Sequence, residues 1–184
     1  MPYIQANTNN IFGLNPVEGY PGHGQTRAYM VSSTEGTAIL AGDAVVRTSI
    51  GTLRAAVSAD TLHLIGAAAQ GLTTASFAQG TLNLLVYDDP IQHYVCTAAS
   101  SAVVTQLHFG QNIGIVTTAT GVGIPSTLVS RSKMALSPTA TTSGALLRLI
   151  AIHPIETWTS SDATSKKYIV KPAPATDFVS NLTT

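Results

Sequence analysis

Five histidines, one cysteine and nine acidic residues are the side chains on which chemistry could be built. His23, His63, His93, His108 and His153 are scattered, and none is spaced as His-Glu-x-x-His or another compact metal motif. His93 and Cys96 lie three apart on an expected strand, so they point to opposite faces. A thiolate nucleophile needs an imidazole that converges on it. This spacing does not supply one, although a histidine from elsewhere in the chain could. Cys96 reads better as a small buried hydrophobe. As a lone cysteine it leaves no internal disulfide and no multi-cysteine zinc site.

Asp88 and Asp89 are adjacent, with Asp43 and Asp60 near other turn signals. A carboxylate pair for acid–base work needs a cleft and one shifted pKa. Asp88-Asp89-Pro90 has a simpler explanation as a turn, because Asp side chains bond their own backbone and Pro90 fixes φ. A calcium ligand is the competing reading. Gly121-Val122-Gly123-Ile124-Pro125 echoes a phosphate-binding loop but lacks the third glycine and a following helix. It reads as a loop. Arg148 sits in the most apolar run. A buried arginine there needs a carboxylate or carbonyl partner; a contact to a partner subunit is the alternative. Trp158, in a polar stretch, either packs on the protein or marks an interface or a sugar site. No cofactor, catalytic or metal residue is assigned.

These side chains must be positioned by a chain that is β-rich throughout. Leu82–Tyr87 and Ile91–Cys96 flank the Asp-Asp-Pro turn and read as a hairpin. Further strands are expected at Arg27–Ser32, Thr37–Ala41, Ala44–Thr48, Thr52–Val57, Thr61–Ile65, Ala102–His108, Asn112–Thr117, Ala145–His153 and Lys167–Lys171. Short strands so closely spaced favour a barrel or sandwich. Leu82, Leu84 and Val86 share one face, Asn83, Leu85 and Tyr87 the other. Apolar residues on both faces imply cover on both sides. No long helix and no fixed-period repeat is visible.

The expected fold class is therefore all-β: a small β-barrel or β-sandwich with an extended N-terminal arm and an inserted β-rich loop region. Residues 1–35 form the arm, punctuated by Asn, Gly and Pro. Its large apolar side chains need a surface to lie on, either the protein's own barrel or a partner. Residues 36–97 form the barrel core. Residues 98–145 are an insertion or the barrel's continuation, and residues 146–184 hold the closing strands and a tail.

Of the 184 residues, 45% are hydrophobic and only 10% charged, against about 25% charged in ordinary domains. A surface so poor in charge either exists to be covered or is simply Thr-rich and neutral. Nine basic and nine acidic residues give a net charge of zero. No basic block exceeds Lys166-Lys167, which argues against nucleic acid as a partner. The first residues lack the charged and apolar regions of a signal peptide. No apolar run approaches the length of a membrane-spanning helix, so no membrane partner is expected.

Three stretches carry a family resemblance. They are Phe12-Gly13-Leu14-Asn15-Pro16-Val17 with Gly19-Tyr20 and Tyr29-Met30-Val31; Ala38-Ile39-Leu40-Ala41-Gly42-Asp43-Ala44-Val45 with Leu64-Ile65-Gly66-Ala67-Ala68; and Leu85-Val86-Tyr87-Asp88-Asp89-Pro90-Ile91-Gln92-His93-Tyr94-Val95. In this order they resemble the capsid cement, or head decoration, proteins of tailed bacteriophages. Ser130-Arg131-Ser132-Lys133 and Ala145-Leu146-Leu147-Arg148-Leu149-Ile150 continue the pattern, which covers about residues 10–155 and leaves out the C-terminus. The resemblance implies a non-enzymatic virion protein on the outer surface of the phage head. It would bridge major capsid protein subunits, stabilise the icosahedral capsid and self-associate there, for example as a trimer. Tyr3, Ile4, Phe12, Leu14 and Tyr20 of the arm are the candidate capsid contacts. Deleting residues 1–20 is expected to abolish binding and spare the barrel. A tail, collar or fibre component and a carbohydrate-binding β-sandwich are the alternatives. Aromatic residues at 6% count against the latter.

Overall fold

The computed structural model describes residues 13–17, 24–31, 37–58, 60, 63–73, 82–99, 104–117, 132–137, 145–154 and 166–173. Eleven strands run through them: β1 (Asn15–Pro16), β2 (Arg27–Val31), β3 (Ala44–Arg47), β4 (Leu53–Ala55), β5 (Leu64–Ala68), β6 (Leu82–Tyr87), β7 (Tyr94–Thr97), β8 (Asn112–Val116), β9 (Ala135–Ser137), β10 (Leu147–Ile152) and β11 (Lys167–Pro172). The one helical piece among the described residues is a single 3-10 turn, Gln106–His108. The protein is all-β, as its composition and turn spacing imply.

Strands β2-β4-β3-β5-β6 close into a barrel, with β6 returning to β2. The other strands form a sheet in the order β1-β7-β11-β10-β8-β9. That sheet also curls round. Ala98, just past β7, bridges Leu136 of β9, and the Ala99 N–H donates to the Leu136 carbonyl at 2.9 Å. So β7-β11-β10-β8-β9 is a second five-stranded ring, with β1 added at the start of β7.

The two rings have the same topology. Numbered within each ring, the strands lie in the order first, third, second, fourth, fifth. In both, the first and third strands meet in parallel at one bridge, Val31–Leu53 and Ala98–Leu136. The register agrees as well. Arg47–Leu53 matches Ile115–Leu136, Ala68–Val86 matches Leu149–Val170, and Tyr29–Leu84 follows Arg27–Val86 as Cys96–Tyr168 follows Tyr94–Val170. Each second strand is preceded, two residues earlier, by a glycine in the left-handed region: Gly42 (φ 88°) and Gly110 (φ 79°). Gly42 donates to the Ala68 carbonyl, and the Ala68 N–H to that of Asp43, both at 2.8 Å. Gly110 donates to Leu149 at 2.8 Å, and Leu149 to Gln111 at 3.0 Å. The main difference is the length of chain between second and third strands, residues 48–52 in one ring and 117–134 in the other.

Val31, Val45, Leu53, Leu84 and Val86 fill the first barrel. Ala98, Ile113, Leu136, Tyr168 and Val170 fill the matching positions of the second. The second core also takes in Ala44, Val46, Ala56 and Ala67 from the outside of the first barrel. β3 is thus the strand covered on both faces: Val45 points into its own barrel, while Ala44 and Val46 point to the neighbour.

Several sequence expectations are corrected here. Leu82–Tyr87 and Ile91–Cys96 are not a hairpin. The first becomes β6, both of whose edges are taken by β2 and β5 in the closed barrel. The chain turns at Asp89–Gln92 and starts the second ring instead. β6 is not covered on both sides either: Asn83 and Leu85 are exposed. The strand expected at Thr61–Ile65 lies at Leu64–Ala68. Gly66 belongs inside it, because a Cβ there would sit 1.9 Å from the Tyr87 carbonyl oxygen. Thr37–Ala41 shrinks to an Ile39–Leu72 bridge. Of the strand expected over Ala102–His108, the described Gln106–His108 form the 3-10 turn instead.

Candidate functional site

Among the described residues, no three His, Cys, Asp or Glu side chains gather into a cluster that could hold a metal ion. The individual groups are accounted for locally. Cys96 is fully buried in the second barrel, and burial pushes its thiol up to about 12. A thiol so high carries almost no thiolate at neutral pH. Burial lowers the His93 pKa, as does the Lys171 charge, against a raising bond to the Ile91 carbonyl; its Nδ1 lies 3.0 Å from that oxygen. His108 accepts from the Thr105 N–H at 2.9 Å. His63 is exposed and His153 buried. His23, Trp158 and the Gly121–Pro125 loop lie outside the described residues.

The aspartates tie turns together. Asp89 accepts from the Ile91 N–H at 2.9 Å, and its carbonyl from the Gln92 N–H at 3.0 Å. Asp88 reaches back to β2, where it accepts from the Tyr29 hydroxyl and lies 3.4 Å from the Arg27 guanidinium. Asp60 takes two bonds from Arg54, at 2.8 and 2.5 Å, and one from the Val57 N–H at 2.7 Å. Burial alone would raise its pKa, but the Arg54 bonds, the Val57 amide and the Arg54 charge together hold it below the usual carboxylate range. Asp43 is buried and accepts from the Leu40 N–H at 2.7 Å. Its pKa is raised by burial, against bonds from Ser132 and Leu40 that lower it.

Asp43 belongs to the junction that fastens the arm. The Leu14 N–H donates to the Gly42 carbonyl at 2.7 Å, and Gly13 to Met134 at 2.9 Å. Ser132 donates to Ala41 at 2.9 Å. Gly13 has φ +78°, and a Cβ there would lie 2.6 Å from Ser132 Cβ. Three chain segments therefore meet where only glycine fits.

Of the candidate capsid contacts, Leu14 is buried in the protein's own core, with 1% of its surface exposed. It has no surface to give a partner, which corrects its assignment. Val17 is buried too, and β1 pairs with β7 through Asn15–Val95 and Pro16–Tyr94. Tyr3, Ile4, Phe12 and Tyr20 lie outside the described residues. Arg148 is half-exposed rather than buried, and its Nε donates to the Gly110 carbonyl at 2.8 Å.

What the described surface offers instead is apolar. Met30, Ile50, Val57, Leu85, Ile91 and Leu107 are all exposed. Met30 and Leu85 share one sheet face, since Ala28 pairs with Leu85 and Met30 with Asn83. Strand alternation in Leu82–Tyr87 held the signal for Leu85; nothing local marked Met30 as outward. No family model, no curated protein and no solved structure matches the chain.

Proposed function

We propose that the protein is a structural virion component that binds the outside of a phage head and stabilises the shell by bridging major capsid protein subunits. The observation that carries this reading is the surface. Among the described residues six large apolar side chains stand exposed, on a chain with 10% charged residues. A contiguous exposed apolar patch marks a surface that meets another macromolecule, and Met30 and Leu85 of this set share one sheet face. The sequence resemblance supplies which macromolecule. A shell repeats one site many times, so contacts of modest strength add up through avidity when copies are linked.

The test is co-sedimentation with heads assembled from the major capsid protein encoded with it. The full chain should pellet with heads to a fixed stoichiometry and raise their resistance to heat. Heads that leave it in the supernatant at saturating concentration overturn the reading. The arm is tested by removing residues 1–10 only. Removing 1–20 would also take away buried Leu14 and Val17 and the β1–β7 pairing. If the arm anchors the protein, the short deletion lowers binding at least about tenfold while its circular dichroism is unchanged.

A further inference from the structure

The repeat allows one barrel to be read against the other. On the outward face of the first and last strands, Ala28, Met30, Asn83 and Leu85 of the first ring correspond to Val95, Thr97, Lys167 and Ile169 of the second. The four in the second ring are all buried. The four in the first are all exposed, Met30 by 59%. The strand edges differ in the same way. First and third strands touch at only one bridge, so they diverge towards the start of the first strand. In the second ring β1 fills that gap, lying against Tyr94 and Val95. The corresponding residues of β2 are Arg27 and Ala28, and among the described residues no strand lies along that edge.

We propose that this open edge and the face beside it, with Ala28, Met30 and Leu85, dock a second copy of the chain. Three observations favour a second copy over another occupant. Along the matching edge of the second ring lies extended β structure from this same chain, anchored by buried Leu14 and Val17. The described part of that edge also carries no Lys or Pro of the kind that keeps edge strands apart. Its one charge, Arg27, is paired with inward-facing Val86 and lies 3.4 Å from Asp88. Finally, a net charge of zero sets up no general repulsion between copies, and a twofold axis would set the apolar Met30 and Leu85 of one copy against the same apolar face of the other.

The proposal does not depend on the shell reading, because it needs only two copies in solution. The full chain is examined by sedimentation equilibrium over a wide concentration range, without heads. The expected result is a reversible dimer. Met30→Asp and Leu85→Asp should each weaken it at least about thirtyfold, as for loss of a central apolar contact, with the far-UV spectrum retained. Ile50→Asp, on the turn between β3 and β4, should leave it unchanged. A wild-type chain that stays monomeric at the highest concentration overturns the proposal. So does association that survives both substitutions or falls equally with Ile50→Asp.

Discussion

At the scale of single residues, the carboxylates show how the same side chain can cost or add stability. Asp43 ionises less readily folded than unfolded, because burial raises its pKa from the ordinary 3.8. As pH rises above that value the unfolded state loses its proton first, and stability falls. Asp60 is the reverse. Its folded pKa lies below 3.8, so it adds stability above that value and loses it as pH falls through the folded pKa. Urea midpoints from about pH 3 to pH 7 separate the two. Asp43→Asn can still accept from Leu40, and it should gain on the wild type as pH rises. Asp60→Asn should match the wild type in acid and fall behind it near neutrality. Opposite trends for the pair would refute the assignment. Both residues were legible as turn aspartates. The burial of Asp43 was not, because Ser132 reaches it from far along the chain.

Elements were legible where a run of apolar residues ended in strong turn residues. Leu82–Tyr87, stopped by Asp-Asp-Pro, is such a strand, and Asn112–Val116 and Leu147–Ile152 also fall where expected. Pairing was not legible, since a strand does not encode which edges will be free. β6 spends both edges closing its barrel, so β7 cannot be its hairpin partner. Gly66 falls outside the expected strand Thr61–Ile65 for a related reason: a glycine reads as punctuation, and here it is a close approach between strands. The prediction belongs to that contact. Gly66→Ala would place a Cβ 1.9 Å from a backbone oxygen, which no rotamer change relieves. It should part β5 from Tyr87 and cost at least about 3 kcal/mol, in the range of severe overpacking. Gly51→Ala meets nothing within 4 Å but has φ +89°, and should cost only about 1 kcal/mol. Equal losses in urea titrations would show that β5 and Tyr87 part at little cost and that the close approach does not set the penalty at residue 66.

At the scale of the whole molecule, two barrels of one topology are hidden in a chain with no visible repeat. The reason is that a barrel interior constrains volume more than residue type. Leu84 is matched by Tyr168, Ala68 by Leu149 and Val31 by Ala98; only Leu53/Leu136 and Val86/Val170 keep their residue. Similar rings on one chain can still unfold separately if each closes its own core. Here the second core is not built from its own ring alone. Ala44, Val46, Ala56 and Ala67 leave the first barrel to complete the second, and the Leu14 N–H joins the arm to Gly42 between them. The rings should therefore unfold as one unit. Leu84→Ala in the first core and Leu149→Ala in the second each empty a fully buried site, at about 2–5 kcal/mol. In native-state hydrogen exchange, either substitution should lower the protection of Val45 and Ile113 by the same free energy, although these amides lie in different barrels. Loss confined to the substituted barrel would mean that the alanine and valine contact between the rings is too weak to couple them, and that each ring folds alone.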